Sequence, residues 1–228
     1  SLKKAIRSPL SPLMALYYIF ATEAFVRSTI TEVVLIVGFT PLVVLFIERY
    51  YGRTITKNSI FGASLAVIGL TAFLLPSLNE FDEQRLIGDV YAFAAAIVSA
   101  IFAVGVRQQK LINKSIKIIS LTFVTFCYGV ILSGILVYMD NSTLKINLLH
   151  SNIIYLIALG VISTALPTLL FGIGASKLSS VKTASLTLLT PIWAAIIGGI
   201  LISEWPSLFS VPGGVITLIG LWFIITKK

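Results

Sequence analysis

GIGASKLSSVKTASLTLLTPIWAAIIGGILISEWPSLFSVPGGVITLIGLWFIIT, residues 172–226, decides the fold. It holds two apolar segments, Thr183–Ser203 and Trp205–Thr226, neither of which carries a charge. Only Glu204 separates them, and Pro206 opens the second. Each is about 20 residues long, enough to cross a hydrocarbon core of roughly 30 Å at 1.5 Å per residue. The stretch reads as a membrane hairpin.

The same plan stands near the start of the chain, in TITEVVLIVGFTPLVVLFIERYYGRTITKNSIFGASLAVIGLTAFLL over Thr29–Leu75. Thr40-Pro41 matches Thr190-Pro191, and Arg27 falls opposite Lys177. GASLAVIGL (Gly62–Leu70) aligns with GGVITLIGL (Gly213–Leu221), sharing both glycines, the isoleucine and the final leucine. Proline, glycine pair and basic residue recur in one order, which marks an internal repeat.

Composition agrees with the membrane reading. The chain is 57% hydrophobic and 11% charged, with a mean hydropathy of +1.00, too little polar surface for a soluble fold of this size. Its single cysteine, Cys127, lies in an apolar segment and reads as a small buried hydrophobe. One cysteine leaves no intramolecular disulfide and no cysteine-based metal site.

Eight helical spans are predicted: 10–26, 31–48, 59–77, 88–106, 117–139, 152–174, 181–203 and 206–226. Nothing alternates polar and apolar as a barrel strand does, and open sheet edges are not tolerated in lipid. The basic residues give orientation. Lys3, Lys4, Arg7, Arg49, Arg53, Lys57, Arg107, Lys110, Lys114, Lys117, Lys177, Lys182, Lys227 and Lys228 fall on one side of an eight-helix zigzag. The other side holds Arg27, Arg85 and Lys145 beside Glu80, Asp82, Glu83, Asp89, Asp140 and Glu204. The basic side is predicted to be cytoplasmic, which places both ends of this chain there. The net charge of +8 thus marks topology and not a nucleic-acid footprint. Span one enters from the cytoplasm and its counterpart, span six, from outside, so the copies are inverted, an arrangement recurrent in secondary transporters.

With its GDVYAFAAAIVSAIFAVGVRQ (Gly88–Gln108), its spacing Pro191…Glu204…Gly213…Gly220 and the shorter Pro41…Gly62…Gly69, the chain resembles the drug/metabolite transporter superfamily, specifically the EamA-type ten-helix transporters. The resemblance covers essentially the whole chain. It implies an all-α polytopic bundle of inverted repeats, with eight of ten helices here and two expected before Ser1. The expected division is 1–78 for the last three helices of the first repeat, 79–87 for an outer linker and 88–228 for the second repeat. Ser99 stands where the family usually has a tryptophan, and the glutamate expected after Pro41 is absent, with Arg53-Thr54 in its place.

Charges inside spans are costly and are functional candidates by default. Glu23 and Arg27 share a face of span one, and Glu32 lies just inside span two. One reading is a structural pair, Glu23 with Arg27, and a helix cap at Glu32. The other is a carboxylate that exchanges a proton, or a cationic substrate group, during transport. The Glu32 to Pro41 spacing resembles that of amino-acid-exporting members of the superfamily. Pro41, Pro167 and Pro191 lie within spans two, six and seven, each removing a backbone hydrogen bond. Thr40, Ser163, Thr164, Thr168, Thr187 and Thr190 accompany them, with Trp193 as an aromatic wall. These residues are expected to line a central cavity. Of Tyr17, Tyr18 and Tyr128, at least one is expected to face it.

His150 is the lone histidine, and no phosphate-binding loop, nucleophile elbow or dinucleotide fingerprint appears, so neither an enzyme nor a cofactor is expected. The expectation is a secondary transporter in a bacterial inner membrane. It would export small polar or amphipathic metabolites such as amino acids by alternating access, with protons as the coupling ion. The alternative is a non-transporting scaffold or sensor that keeps the fold.

Overall fold

The computed structural model describes residues 2–77, 85–112, 116–139, 150–203, 205 and 207–226, and its elements are all helical. They begin with α1 (Leu2–Ile6), α2 (Leu10–Arg27), α3 (Ile30–Val37), α4 (Thr40–Tyr50) and α5 (Lys57–Leu74). Next come α6 (Leu86–Leu111), α7 (Ile118–Met139), α8 (His150–Ala158) and a π-helical stretch, Leu159–Ala165. The chain ends with α9 (Leu166–Lys177), α10 (Ser180–Leu186), α11 (Leu189–Ile202) and α12 (Val211–Thr226). Glu80, Asp82, Glu83, Lys114, Asp140, Lys145, Glu204, Pro206, Lys227, Lys228, residues 79–84 of the expected linker and the His150 side chain lie outside the described residues.

Among the described residues, seven segments are long and apolar enough to cross a membrane. The eighth expected span is α2, an 18-residue helix that packs on α6 and α7. Tyr17, Tyr18, Glu23 and Arg27 lower its hydropathy, which is why length and composition alone select seven segments and not eight. The helix expected from residue 88 starts at Leu86.

Small residues set how closely the helices approach. Ala92, Ala95, Ala96 and Ala103 form a buried stripe on α6, which packs closely on α2, where Leu10, Met14, Ala21 and Ala24 are buried. Between α5 and α12 the stripe is glycine. A Cβ on Gly62 would sit 2.7 Å from the Gly220 carbonyl oxygen, and one on Gly69 would sit 2.8 Å from that of Gly213. An early residue of each helix meets a late residue of the other, so the two run antiparallel. Replacing each member of the pair 62/220 by its aligned counterpart yields 213/69, which is the second pair. The contact set is its own image. A two-fold axis therefore passes between α5 and α12, across the helices, and the two copies are inverted.

The same correspondence holds turn by turn. α2 ends at Ser28 (φ −128°, ψ 172°) and α9 at Leu178 (φ −94°, ψ 171°). Each of these two amides donates to the carbonyl four residues back, at 2.8 Å. The next residue caps the following helix, with Thr29 Oγ1 accepting from the Glu32 amide at 3.2 Å and Ser179 Oγ from the Lys182 amide at 3.3 Å. Span two breaks at Gly38-Phe39, ahead of Thr40-Pro41, and span seven at Thr187-Leu188, ahead of Thr190-Pro191. A proline within the first turn of a half-helix needs no amide proton, so each break falls where proline is tolerated.

The expected burial of Cys127 is not found. Its side chain is exposed on α7, because the stripe of α7 that packs inward runs through Leu121, Val124 and Thr125.

Candidate functional site

The broken helices meet at one cavity of about 320 Å³, walled by both repeats. α2 supplies Tyr17 and Tyr18, the first break Gly38 and Thr40, and α5 supplies Leu70. Across the axis stand Ser99 of α6, Pro167, Thr168 and Phe171 of α9, and Thr187, Leu188, Thr190 and Pro191 around the second break. Its lining holds hydroxyls and apolar side chains, with no Asp, Glu, Lys or Arg among the described residues.

The hydroxyls are tied to backbone carbonyls near the prolines and breaks, and one of them repairs a bond that a proline removes. Pro41 has no amide to offer the carbonyl four residues before it, Val37, and Thr40 Oγ1 donates to that oxygen at 2.6 Å. Thr187 Oγ1 donates to the Ala184 oxygen at 2.7 Å in the second break. Thr168 Oγ1 donates to the Thr164 oxygen beside Pro167. That leaves Thr168 only as an acceptor for Tyr18, whose hydroxyl therefore donates to it across the cavity. Tyr18 and Thr168 are 150 positions apart, the repeat offset, so this bond joins two equivalent residues at the axis.

Of the residues singled out from the sequence, Tyr17, Thr40, Pro167, Thr168, Thr187, Thr190 and Pro191 meet at the cavity. Pro41 is buried beside it in the packing of α4 without lining it. Thr164 turns back on its own helix, its hydroxyl donating to the Leu159 oxygen at 3.0 Å. Trp193 is 57% exposed on α11 and does not line the cavity. Tyr128 lies outside as well and donates to the Ile6 carbonyl oxygen. Tyr18, which the sequence does not separate from Tyr17 and Tyr128, and Ser99, which it marks only as a departure from the family pattern, both line the cavity. The small residue in the tryptophan's place was the signal that could have found Ser99.

Glu23, Arg27 and Glu32 lie at one end of the bundle, away from the cavity lining. Arg27 Nε donates to Glu23 at 2.9 Å along one helix face and lies over the Tyr91 ring. Glu32 closes a capping box, its carboxylate accepting from the Thr29 amide at 3.2 Å. It also faces Arg85 at 3.7 Å. Ser28 Oγ is 2.8 Å from a Glu32 oxygen and 2.7 Å from Asp89 Oδ1. At the opposite end, the repeat equivalent of Glu32 is Lys182, whose Nζ donates to the Ile225 carbonyl at 2.9 Å. One fold element thus carries an acid at one end of the bundle and a base at the other.

A multi-helix membrane bundle of inverted repeats with a cavity between the two copies defines a membrane carrier architecture. The EamA-like transporter family matches residues 86–226, more than half of the chain, and the chain belongs to that family. It is a membrane transporter of the drug/metabolite type, in a family of transporters and not of enzymes. A solved crystal structure of a protein aligns over 97% of this chain and 77% of its own, with a TM-score of 0.75 at 17% identity. That likeness bears on the fold alone. No curated protein matches the chain.

Proposed function

We propose that this chain moves small amphipathic metabolites, apolar amino acids among them, across a bacterial inner membrane by alternating access, in the outward direction. The observation that carries the reading is the uncharged, hydroxyl-bearing cavity between the repeats. A solute with an apolar body and a few hydrogen-bonding groups matches such a wall, whereas a solute of net charge would find no counter-charge there. The volume lies at the lower end of the range typical of small-molecule pockets, roughly 300–1,000 Å³. The basic end is cytoplasmic in this reading, which puts the C-terminus there as well.

Protons are the proposed coupling ion, with Glu32 as the carboxylate that responds to them. Ser28 Oγ lies within hydrogen-bond distance of both Glu32 and Asp89, so a change of charge on one carboxyl is felt by the other through a shared hydroxyl. Repeat symmetry adds a structural proposal. α6 and α7 cover α2, while few residues of its equivalent, Ile153–Lys177, are buried; equivalents of α6 and α7 would pack on that face.

The test is flux of a radiolabelled amino-acid and metabolite panel in vesicles holding the full-length protein, with and without a pH gradient. Gradient-dependent flux in wild type, lost in Glu32→Gln with insertion unchanged, is the expected result. Flux indifferent to both gradient and mutation would remove proton coupling but leave the carrier. No flux of any solute would favour the scaffold.

A further inference from the structure

A second, separate cavity carries a further inference. A groove of about 760 Å³ runs between α4 and α6 on the outer surface of the bundle. Its walls are apolar, with Leu42, Phe46 and Ile47 on one side and Phe93, Ile97 and Ile101 on the other. Tyr50, Tyr51 and Gln108 stand at its mouth, at the basic end. From residue 42 to 51 the α4 wall rises about 14 Å, and from 93 to 108 the α6 wall rises about 22 Å, at 1.5 Å per residue. Half of a hydrocarbon core is roughly 15 Å, so the groove is as deep as one leaflet.

The mouth adjoins a polar cleft of about 580 Å³. Gly52 and Arg53 of the cleft follow Tyr51 of the groove directly, and Arg107 precedes Gln108. Arg53, Arg107 and Lys182 line the cleft with Thr56, Ser59 and Ser180. Arg53 is held by Glu48 at 2.7 Å, so that pair is neutral. Among the described residues, Arg107 and Lys182 donate to neutral carbonyls, of Ser176, Lys177 and Ile225, and no carboxylate pairs with either charge. A guanidinium has five N–H donors and an ammonium three, so both keep donors to spare. Ser180 Oγ, in the same wall, is buried with no hydrogen-bond partner.

We propose that groove and cleft together bind one anionic phospholipid of the leaflet at the basic end. An acyl chain lies along α4 and α6, and the phosphate is held by Arg107 and Lys182. Basic pockets between membrane helices recognise anionic headgroups in this way, and the charge here sits where a chain in the groove would place its headgroup.

Native mass spectrometry of the full chain, delipidated and titrated with phosphatidylglycerol or phosphatidylcholine, tests this. One phosphatidylglycerol should bind about twenty-five-fold more tightly than phosphatidylcholine, each of two basic groups contributing about a fivefold factor. Arg107→Gln with Lys182→Gln keeps amide donors for the helix-end carbonyls and should erase the preference while phosphatidylcholine still binds. Ile101→Trp fills the groove without touching those carbonyls and should weaken both lipids. Should the double variant fail to elute as a single folded species, Ile101→Trp decides. Equal binding of the two lipids by wild type would overturn the proposal. So would glycerol phosphate binding as tightly as the lipid, which makes the ligand a free anion. A dimer that Ile101→Trp converts to monomer would also overturn it, because the groove then holds a second copy of the chain.

Discussion

At the scale of single residues, Ser99 fixes what the central cavity can hold. It is buried on α6 and lines the void together with Pro167, Thr168 and the second helix break. An indole at this position would occupy space that the hydroxyl leaves open. Ser99→Trp should therefore reduce flux to the level of empty vesicles, while yield and elution stay those of wild type because the added ring enters existing space. Ser99→Ala keeps the volume and removes one hydrogen-bonding group, worth about 0.5–1.5 kcal/mol, so the apparent affinity should fall by roughly two- to tenfold. Equal flux through Ser99→Trp and wild type would mean that the solute passes elsewhere. Tyr18 acts at the same scale differently, since its hydroxyl is committed to Thr168 and closes the cavity across the axis.

At the scale of helices, the tightest packing lies between α5 and α12. A Cβ on Gly213 would fall 2.2 Å from the Phe73 amide nitrogen, and that neighbour is backbone, which cannot swing aside. Gly134 on α7, by contrast, has nothing within 4 Å of such a Cβ. Gly213→Val should lower stability in detergent by about 3 kcal/mol or more, visible as a lower midpoint in a thermal-aggregation series followed by size-exclusion chromatography. Gly134→Ala should leave the midpoint unchanged or raise it slightly, since alanine favours helix. A tolerant Gly213→Val would show that this pair is not the tight contact between repeats.

Much of this architecture was legible. The glycine register of Gly62, Gly69, Gly213 and Gly220 can be read as letters because close approach admits no other residue, and the prolines mark the breaks because they lack an amide proton. Facing was less legible. Thr164 and Thr168 are four residues apart and share a face on an ordinary α-helix, but the π-helical stretch Leu159–Ala165 has more residues per turn and rotates one away from the other. Trp193 was misplaced for a similar reason, since the break at Thr187-Leu188 resets the rotation of α11 relative to α10. The polar residues near the end of α2 drew attention as charges within an apolar run, yet the turn at Ser28-Thr29 places them at the end of the helix.

At the scale of the molecule, the inverted repeat makes a claim that no single helix makes: equivalent residues lie on opposite faces of the membrane. Arg27 and Lys177 occupy equivalent positions, each in the last turn of its helix and each exposed. In a direct repeat both would face one compartment; in an inverted one they cannot. Cys127 is exposed and must first be replaced by serine to silence it. Arg27→Cys and Lys177→Cys in that background sacrifice little stability, since the exposed pair of Arg27 with Glu23 is worth no more than about 1 kcal/mol. In sealed vesicles of known orientation, a membrane-impermeant maleimide should label Arg27→Cys from the outer face and leave Lys177→Cys untouched until the vesicles are opened. The reverse pattern would keep the inverted fold and turn the proposed orientation over, placing the basic loops outside. Labelling of both from one face would contradict the inversion itself, and with it the two-fold axis that joins Tyr18 to Thr168 and sets the central cavity between the two copies.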